Sequence, residues 1–463
     1  MPLESAKVKQ TLADPKLQFA LYESTERLKQ KRRDVVSAEA LPEYQELRTH
    51  AREVKKHTIE NLAYYLERLE RNVQAHGGKV IWASDAAEAS DFIRNLAKER
   101  EIPLIVKSKS MTTEEIELNE DLAHHGFESV ETDLGEFIIQ LAHDKPYHII
   151  APAIHMTREH VADLFADKLG VERETVIEKQ TMIARRVLRE KFLKAGIGVS
   201  GANFLVADSG AVVIVENEGN ARLTTSCPKI HITVAGIEKL IPRAQDLAVF
   251  LKLLGRSASG QPMSVYTSML SGPRRPWESD GPEEFYLILL DNGRSKLLAD
   301  EKKRESLYCI RCGACLNACP VYRKIGGHSY PWVYSGPIGA ILTPQFHGVM
   351  RDPWLPFASS LCGACAEVCP VKIDIPKVLL DLRSDIVKAR SASGKGGIER
   401  WAFKLWAFAM RHPLLYEWGG RLAAIFQPLA AKFEPLKSWT SEREAPKLAA
   451  KSFRAQWRER GKS

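Results

Sequence analysis

The sequence contains no long hydrophobic run. None of its segments approaches the roughly 18 consecutive apolar residues that a membrane-spanning helix needs, and the mean hydropathy of the 463 residues is −0.24. The first ten residues, MPLESAKVKQ, have no apolar core of signal-peptide length. We therefore expect a cytoplasmic protein, with peripheral contact at the inner face of a membrane as a further possibility.

The sequence also lacks the patterns of two common ligand classes. No GxGxxG segment opens a helix, so no dinucleotide site of that kind is expected, and no flavin site is evident. The net charge of +8 is not concentrated in a dense basic stripe. We therefore expect no nucleic-acid partner, and we attribute the excess to solvated surface or to docking of an acidic partner or an anionic membrane face.

Cysteine is nearly absent outside two short runs. Seven of the eight cysteines lie in these runs, and Cys227 stands alone. Such crowding in a chain without a secretion signal indicates metal binding rather than a disulfide framework.

The spacing of the runs predicts two iron–sulfur clusters. CIRCGACLNACP (309–320) has the C-x2-C-x2-C-x3-C-P spacing of two-cluster ferredoxins, in which the fourth cysteine binds the other cluster. CGACAEVCP (362–370) has C-x2-C-x3-C-P. A zinc site is the alternative, but zinc knuckles rarely have the C-x3-C-P ending. Crossed pairing assigns one cluster to Cys309, Cys312, Cys315 and Cys369, and the other to Cys319, Cys362 and Cys365.

The second cluster is therefore one cysteine short. Ser359 stands where the missing cysteine is expected. The cluster could be a [4Fe-4S] cubane with Ser359, His328, His347 or water as its fourth ligand, it could be a [3Fe-4S] cluster, or Cys227 could supply the thiolate. We favour a second [4Fe-4S] cluster with an exchangeable or oxygen ligand.

The remainder divides into a helical segment, an α/β domain and a helical tail. Residues 1–75 are predicted to be a peripheral helical lead-in, 76–300 an α/β domain with a parallel sheet, 301–390 an α-helical ferredoxin-like module and 391–463 a helical, basic tail. The strands predicted for the α/β domain are 79–83, 103–107, 147–151, 203–207, 211–215 and 231–235, with 264–270 and 284–293 as a final pair.

Two polar loops flank one predicted strand of the α/β domain. Open α/β sheets place ligands at the ends of their strands, although a simple hairpin turn is the plainer interpretation of each loop. Arg222 is suited to holding a carboxylate. The candidate substrate-site residues are Ser209, Gly210, Glu218, Asn220 and Arg222.

Several segments together carry a family resemblance. SKSM (108–111), ETDLGE (131–136), EGNAR (218–222), PKIHITVAG (228–236), both cysteine runs and the segment between them resemble the lactate-utilisation iron–sulfur protein B family. That family is the middle subunit of a three-part L-lactate oxidation system. The resemblance implies a ribose-5-phosphate isomerase or CoA-transferase-like fold for the α/β domain. It also implies two partners, a cysteine-rich subunit like those of heterodisulfide reductase and a small subunit that shares the α/β domain.

The predicted function is electron transfer during oxidation of L-lactate to pyruvate. One alternative is that the α/β domain itself binds and acts on a small carboxylate or acyl thioester. Another is a quinone-linked dehydrogenase subunit. The apolar residues of 399–415 are predicted to pack over the cluster module or, less favoured, to dock on a partner or a membrane.

Overall fold

The computed structural model describes residues 6–393 and 397–430 and, nearer the end of the chain, 437, 440, 444, 446–449 and 451–460. The chain divides into two compact units, 1–386 and 387–463. The first unit contains both the predicted α/β domain and both cysteine runs.

In the described part of the chain, ten strands form two sheets. They are Lys79–Ala83 (β1), Leu104–Lys107 (β2), Glu128–Glu131 (β3), Ile197–Ser200 (β4), Phe204–Val206 (β5), Ala211–Glu216 (β6), Ile230–Gly236 (β7), Leu240–Ile241 (β8), Tyr266–Leu270 (β9) and Glu284–Leu290 (β10). The larger sheet has the order β1-β10-β7-β4-β2-β3, and all of its neighbours are parallel. The smaller sheet has the order β8-β5-β6-β9, in which β6 is antiparallel to both neighbours.

Helices surround these sheets and form the rest of the described chain. They are Ala6–Ala13 (α1), Pro15–Val35 (α2), Tyr44–Glu60 (α3), Leu62–Ala75 (α4), Ala86–Glu99 (α5), Met111–Glu115 (α6), Leu118–His124 (α7), Leu134–Leu141 (α8), Arg158–Leu169 (α9), Ile177–Lys194 (α10), Asn220–Ser226 (α11), Ala244–Ala258 (α12), Arg294–Leu298 (α13), Ala314–Ala318 (α14), Tyr322–Ile325 (α15), Gly336–His347 (α16), Ala364–Val368 (α17), Ile375–Ala392 (α18), Gly397–Arg411 (α19), Pro413–Ala430 (α20) and Phe453–Arg460 (α21).

The larger sheet is covered on both faces, as parallel sheets usually are. Successive side chains of a strand point to opposite faces of its sheet. In β10, alternate side chains are buried in different hydrophobic clusters, so both faces of the sheet are covered. Phe285, Leu287 and Leu289 belong to one buried cluster, which also contains the cysteine module. Tyr286 and Ile288 belong to another cluster, formed with α5 and α7. One face of the sheet thus shares its core with the predicted cluster module.

Two strand predictions were wrong. The segment 147–151 contains no strand but a series of bends. It is apolar because it lies against the cysteine module, where the Tyr322 hydroxyl donates to the Tyr147 carbonyl (2.8 Å). The strands β9 and β10 are not a pair: β9 belongs to the smaller sheet and β10 to the larger. Strands β3 (ESVE) and β4 (IGVS) were not predicted, because their acidic residues and glycine are uncommon in strands.

The N-terminal helices are part of the core rather than peripheral. Leu21, Ala51 and Ile59 are fully buried, and helices α2 and α3 contact the cysteine module and the smaller sheet. Their many charges suggested an exposed segment, but the buried Arg48 and the half-buried Arg32 bond backbone carbonyls of the module.

The described part of the second unit is mostly helical, with residues 444 and 446–449 in no regular structure. Trp401, Leu405 and Phe408 of α19 are all more than half exposed. Within the described residues, no helix combines the length and the apolar character that a bilayer crossing requires.

Candidate iron–sulfur site

The two cysteine runs fold into two copies of one turn. Gly313 and Gly363 both have a left-handed backbone (φ +74° and +83°), and each begins a five-residue helix, α14 and α17. Arg311 and Leu361, two residues before these glycines, are also left-handed (φ +59° and +56°). Left-handed backbone is costly for residues with a side chain, so its repetition at matching positions indicates a shared requirement of the two turns.

The turns bring the seven thiols together in two groups. In the first group Cys309 and Cys369 are electrostatic neighbours of Cys312, and Cys315 is close to all three. In the second group Cys319 lies by Cys362, and Cys365 lies by both. Cys315 and Cys365 are near each other, so the two groups are adjacent. These are the sets that crossed pairing predicts.

The donor set and its surroundings fit iron–sulfur clusters. None of the eight cysteines forms a disulfide. Burial raises the pKa of Cys312 and Cys365 to about 12 and that of Cys369 to about 11, so these thiols ionise readily only when a metal binds them. Backbone amides of Arg311, Tyr322 and Ile373 donate to the sulfurs of Cys309, Cys319 and Cys369, each at 3.4 Å.

Ser359 reproduces the local geometry of Cys309. The Leu361 amide donates to Ser359 Oγ at 3.2 Å, just as the Arg311 amide donates to Cys309 Sγ. In each turn the accepting side chain lies two residues before the donating amide. Each donating residue, Arg311 or Leu361, is the left-handed residue of its turn that is not glycine. The oxygen of Ser359 occupies the position that the sequence repeat assigns to a fourth ligand.

The other proposed fourth ligands have different surroundings. Cys227 is exposed and lines a cavity with α10 and Tyr266, away from the cysteine runs. His328 Nε2 is 2.7 Å from the Lys145 carbonyl oxygen and packs against Tyr147. The ring of His347 packs on Trp332, 4.2 Å between centroids. The structure brings none of these three side chains into the second thiol group.

Arginines of α2 and α3 hold the second turn from outside. Arg48 is 6% exposed and donates to the Cys369 carbonyl from Nε and Nη2 at 2.9 and 2.7 Å. Arg32 donates to the Val368 carbonyl at 3.1 Å. Sequence reasoning missed both, because nothing in their local pattern connects them to a run more than 300 residues away.

A buried charge network joins the α/β domain to the cysteine module. The Arg294 guanidinium pairs with Glu115 (2.8 Å) and Glu238 (2.5 Å), and all three side chains are at most 1% exposed. From the module, the Tyr334 hydroxyl donates to Glu115 at 2.6 Å and Arg311 pairs with Glu238 at 3.3 Å. Burial alone raises the pKa of a carboxyl group, but Arg294 and Arg311 outweigh it and lower that of Glu238 to about 2.

A cavity of about 290 Å³ lies beside this network. Its wall combines the SKSM segment, loops of the smaller sheet, Lys239 and, from the first cysteine turn, Arg311. Burial, and next the Arg311 charge, lower the pKa of Lys239 to about 8. Asp133 and Glu218 also line the cavity; burial and then the Asp133 charge raise the pKa of Glu218. The cavity therefore has cationic and acidic side chains in its wall.

The structure divides the predicted substrate-site residues. Glu218 and Asn220 line the cavity, whereas Arg222 lines the neighbouring one and lies over the Tyr266 ring. Ser209 and Gly210 form the turn between β5 and β6, at the far end of β6, where Asn72 of α4 donates to the preceding carbonyls. For that loop the plainer interpretation, a hairpin turn, describes the structure.

Three protein-family models match this architecture. A LUD domain matches residues 66–290, a 4Fe-4S dicluster domain matches 305–373, and the C-terminal domain of lactate utilisation protein B matches 382–462. The fold and the site thus define an iron–sulfur protein in which a LUD domain is followed by a 4Fe-4S dicluster domain. Zinc, the alternative considered from the spacing, is not favoured by this match.

The relatives named lactate utilization protein B match nearly the whole chain. The one from Bacillus velezensis is 44% identical, with 96% of this chain and 94% of the relative covered. The one from Geobacillus thermodenitrificans is 46% identical, with 92% and 90% covered. The chain belongs to the lactate utilisation protein B family. A solved DUF162 family protein from Deinococcus radiodurans matches at a TM-score of 0.28 and 10% identity, which is too low to support an argument.

Proposed function

We propose that this chain is the iron–sulfur electron-transfer subunit of a system that oxidises L-lactate to pyruvate. The observation that carries the proposal is the pair of adjacent thiol groups, one built from Cys309, Cys312, Cys315 and Cys369 and the other from Cys319, Cys362 and Cys365. The names of the relatives point to lactate utilisation. Membership of this family supports the electron-transfer role over the alternative activities.

Single-electron transfer is the chemistry that such thiol groups support. When bound, iron–sulfur clusters accept and release one electron at a time, whereas oxidation of lactate to pyruvate releases two. Two adjacent sites in one chain therefore suit a subunit that divides an electron pair. The thiols hold the metals, the backbone amides stabilise the thiolate charge, and Arg48 fixes the turn that carries Cys369.

We propose a [4Fe-4S] cluster at each site, with Ser359 as the fourth ligand of the second. Its hydroxyl lies where the first turn has the Cys309 sulfur, and it accepts the equivalent amide. The second group is also the more open one, because Cys362 is exposed. An accessible site with one oxygen ligand is suited to electron exchange with a partner, while the first group lies against the α/β domain.

Spectroscopy on the anaerobically purified full chain tests this function. We expect about eight iron and eight sulfide atoms per chain, the content of two four-iron clusters, and a coupled electron paramagnetic resonance spectrum after reduction. Adding lactate and the partner subunits should then reduce the clusters. A colourless preparation, or one that contains zinc and no sulfide, contradicts the proposal.

The finer assignments of fold and assembly belong to the same proposal. We assign the α/β domain to the ribose-5-phosphate isomerase and CoA-transferase class and the cysteine module to the ferredoxin-like class. We also propose the two partners that the resemblance implies, a cysteine-rich subunit and a small subunit sharing the α/β domain. The exposed Trp401, Leu405 and Phe408 of α19 support a docking role for the tail, on a partner or at the membrane's inner face.

A further inference from the structure

Two cationic side chains, Lys239 and Arg311, line the cavity between the α/β domain and the first cysteine turn, and their hydrogen-bond donors are only partly used. Lys239 is 8% exposed, and among residues 6–386 its ammonium group has neither a hydrogen bond nor an ion pair. Arg311 is 7% exposed; its Nη2 meets Glu238, but its Nε and Nη1 are buried without a partner. Buried cationic donors without partners are costly, so an unpaired Lys239 and a partly paired Arg311 at one cavity indicate an anionic occupant.

Arg311 and Lys239 also lie near the first thiol group. Cys309 is an electrostatic neighbour of both Arg311 and Lys239, so a cluster bound there would balance some of the excess positive charge. No cysteine is among the described residues that line the cavity, whose wall also includes Ser110, Asn203 and Ser264 on the side of the α/β domain. A ligand there would contact the Arg311 guanidinium, which also lies beside Cys309.

The size and polarity of the cavity select the kind of anion. About 290 Å³ is at the lower limit of small-molecule sites. Lys and Arg together suit a carboxylate, which accepts several charge-assisted hydrogen bonds. Asp133 and Glu218 also line the wall. They repel a second negative charge and accept a hydrogen bond from a hydroxyl group.

We propose that this cavity binds a small 2-hydroxy carboxylate, with its carboxylate between Lys239 and Arg311 and its hydroxyl toward Asp133 and Glu218. The inference rests on the proposed function for its link to lactate. It goes beyond that function in placing a substrate-class site on this subunit, beside the first cluster, rather than on a partner. Because Arg311 serves both, we expect ligand binding to change the environment of the first cluster.

The test uses calorimetry with L-lactate on the anaerobically purified, iron-loaded full chain. We expect saturable binding that is at least tenfold weaker for Lys239→Gln and for the neutral analogue lactamide. Ser264→Phe, in the loop before β9, should block the cavity without changing its charge. Lys229→Gln, at an exposed lysine outside the cavity, is the control and should bind as the parent chain does.

Iron and sulfide counts and the spectrum of the reduced protein are measured on the same samples. These counts and this spectrum test the proposed electron-transfer function independently of the binding measurement. Lactate should also shift the spectrum of the first cluster in the parent chain and not in Ser264→Phe. If the iron-loaded chain does not bind lactate, or if Ser264→Phe binds as tightly as the parent, the inference is wrong while the electron-transfer function stands. Should Lys239→Gln fail to fold, Ser264→Phe and lactamide decide the question.

Discussion

The two cysteine turns differ at one accepting side chain, which is Cys309 in the first turn and Ser359 in the second. Cys309 and Ser359 accept the same type of backbone hydrogen bond, from Arg311 and Leu361. The turns otherwise share their glycine and their left-handed residue. If Ser359 is the fourth ligand, as proposed, its oxygen should hold that iron less firmly than a sulfur would, because thiolates are the preferred ligands of iron–sulfur clusters.

Substituting Ser359 tests the fourth ligand directly. We expect Ser359→Cys to yield a second four-iron cluster that resists oxidation in air. We expect Ser359→Ala to lose one iron and to show the signal of an oxidised three-iron cluster in electron paramagnetic resonance. Ser360→Ala, at the exposed neighbouring residue, is the control. A spectrum that Ser359→Ala leaves unchanged shows that another group holds the fourth iron.

The cysteine ligands could be predicted from the sequence, because the spacing of a cluster-binding turn is local. The cavity cations could not. Lys239 and Arg311 are 72 positions apart in the sequence, and each looks like an ordinary surface charge. A charged residue inside the first cysteine run was a signal for Arg311, but its partners are visible only in the folded chain.

At the scale of elements, the hairpin between β5 and β6 shows why a polar loop is not necessarily a site. Gly210 is left-handed (φ +69°), and a Cβ added there would lie 2.8 Å from the backbone of Asn72 and Val73. The glycine is therefore required for packing against α4. This explains the Ser209 and Gly210 pattern without a ligand.

Gly210→Ala should therefore destabilise the chain without weakening lactate binding. We expect a loss of about 2–4 kcal/mol from the strained backbone and the clash together. Gly126→Ala is the matched control, because Gly126 is also left-handed (φ +83°) but has open space around it, and it should cost only about 1 kcal/mol. Denaturant midpoints measure both. Equal losses contradict the contact with α4.

Helix α8 buries a carboxyl group that makes the stability depend on pH. Glu136 is 3% exposed, and its Oε1 has no hydrogen-bond partner. Burial, and next the charges of Glu131 and Glu114, raise its pKa well above the usual value of 4.5. The folded chain then holds a proton that the unfolded chain loses above this value, so stability falls as the pH rises from there.

Glu136→Gln should remove this part of the pH dependence. The parent chain should lose stability relative to the variant as the pH rises above about 5, by no more than about 1.4 kcal/mol per pH unit. Glu120→Gln, at an exposed position before β3, should follow the parent chain. The measurement is the difference in denaturation midpoint at each pH. Midpoints of variant and parent that run parallel mean that Glu136 is ionised in the folded chain.

At the scale of the whole molecule, one hydrophobic core joins the LUD domain to the cysteine module. Residues of α3, α4, the smaller sheet and five of the cysteines belong to the same buried cluster. The opposite face of the larger sheet belongs to separate clusters. The helices that carry the cysteines, α14 and α17, have only five residues each, too few to be stable without their surroundings.

Removing the metal should therefore increase hydrogen exchange in some elements and leave it unchanged in others. After chelation of iron we expect faster hydrogen exchange throughout 309–373 and in α3, because bound metal contributes to folding. The strands β1, β10 and β7 should stay protected, because their parallel pairing does not depend on the cysteines. Exchange that is unchanged by chelation, or equally fast in every strand, contradicts this organisation.

The sequence by itself determined what depends on neighbouring residues: the cluster spacing, most of the strands, and the family. Their causes are local, since ligand spacing, periodicity and caps act over a few residues. The tertiary structure decided the rest, including the two-sheet arrangement, the burial of α2 and α3, and the cavity between Lys239 and Arg311. These depend on contacts between segments far apart in the chain, whose free energy comes from burying apolar surface and charge that no short segment can bury alone.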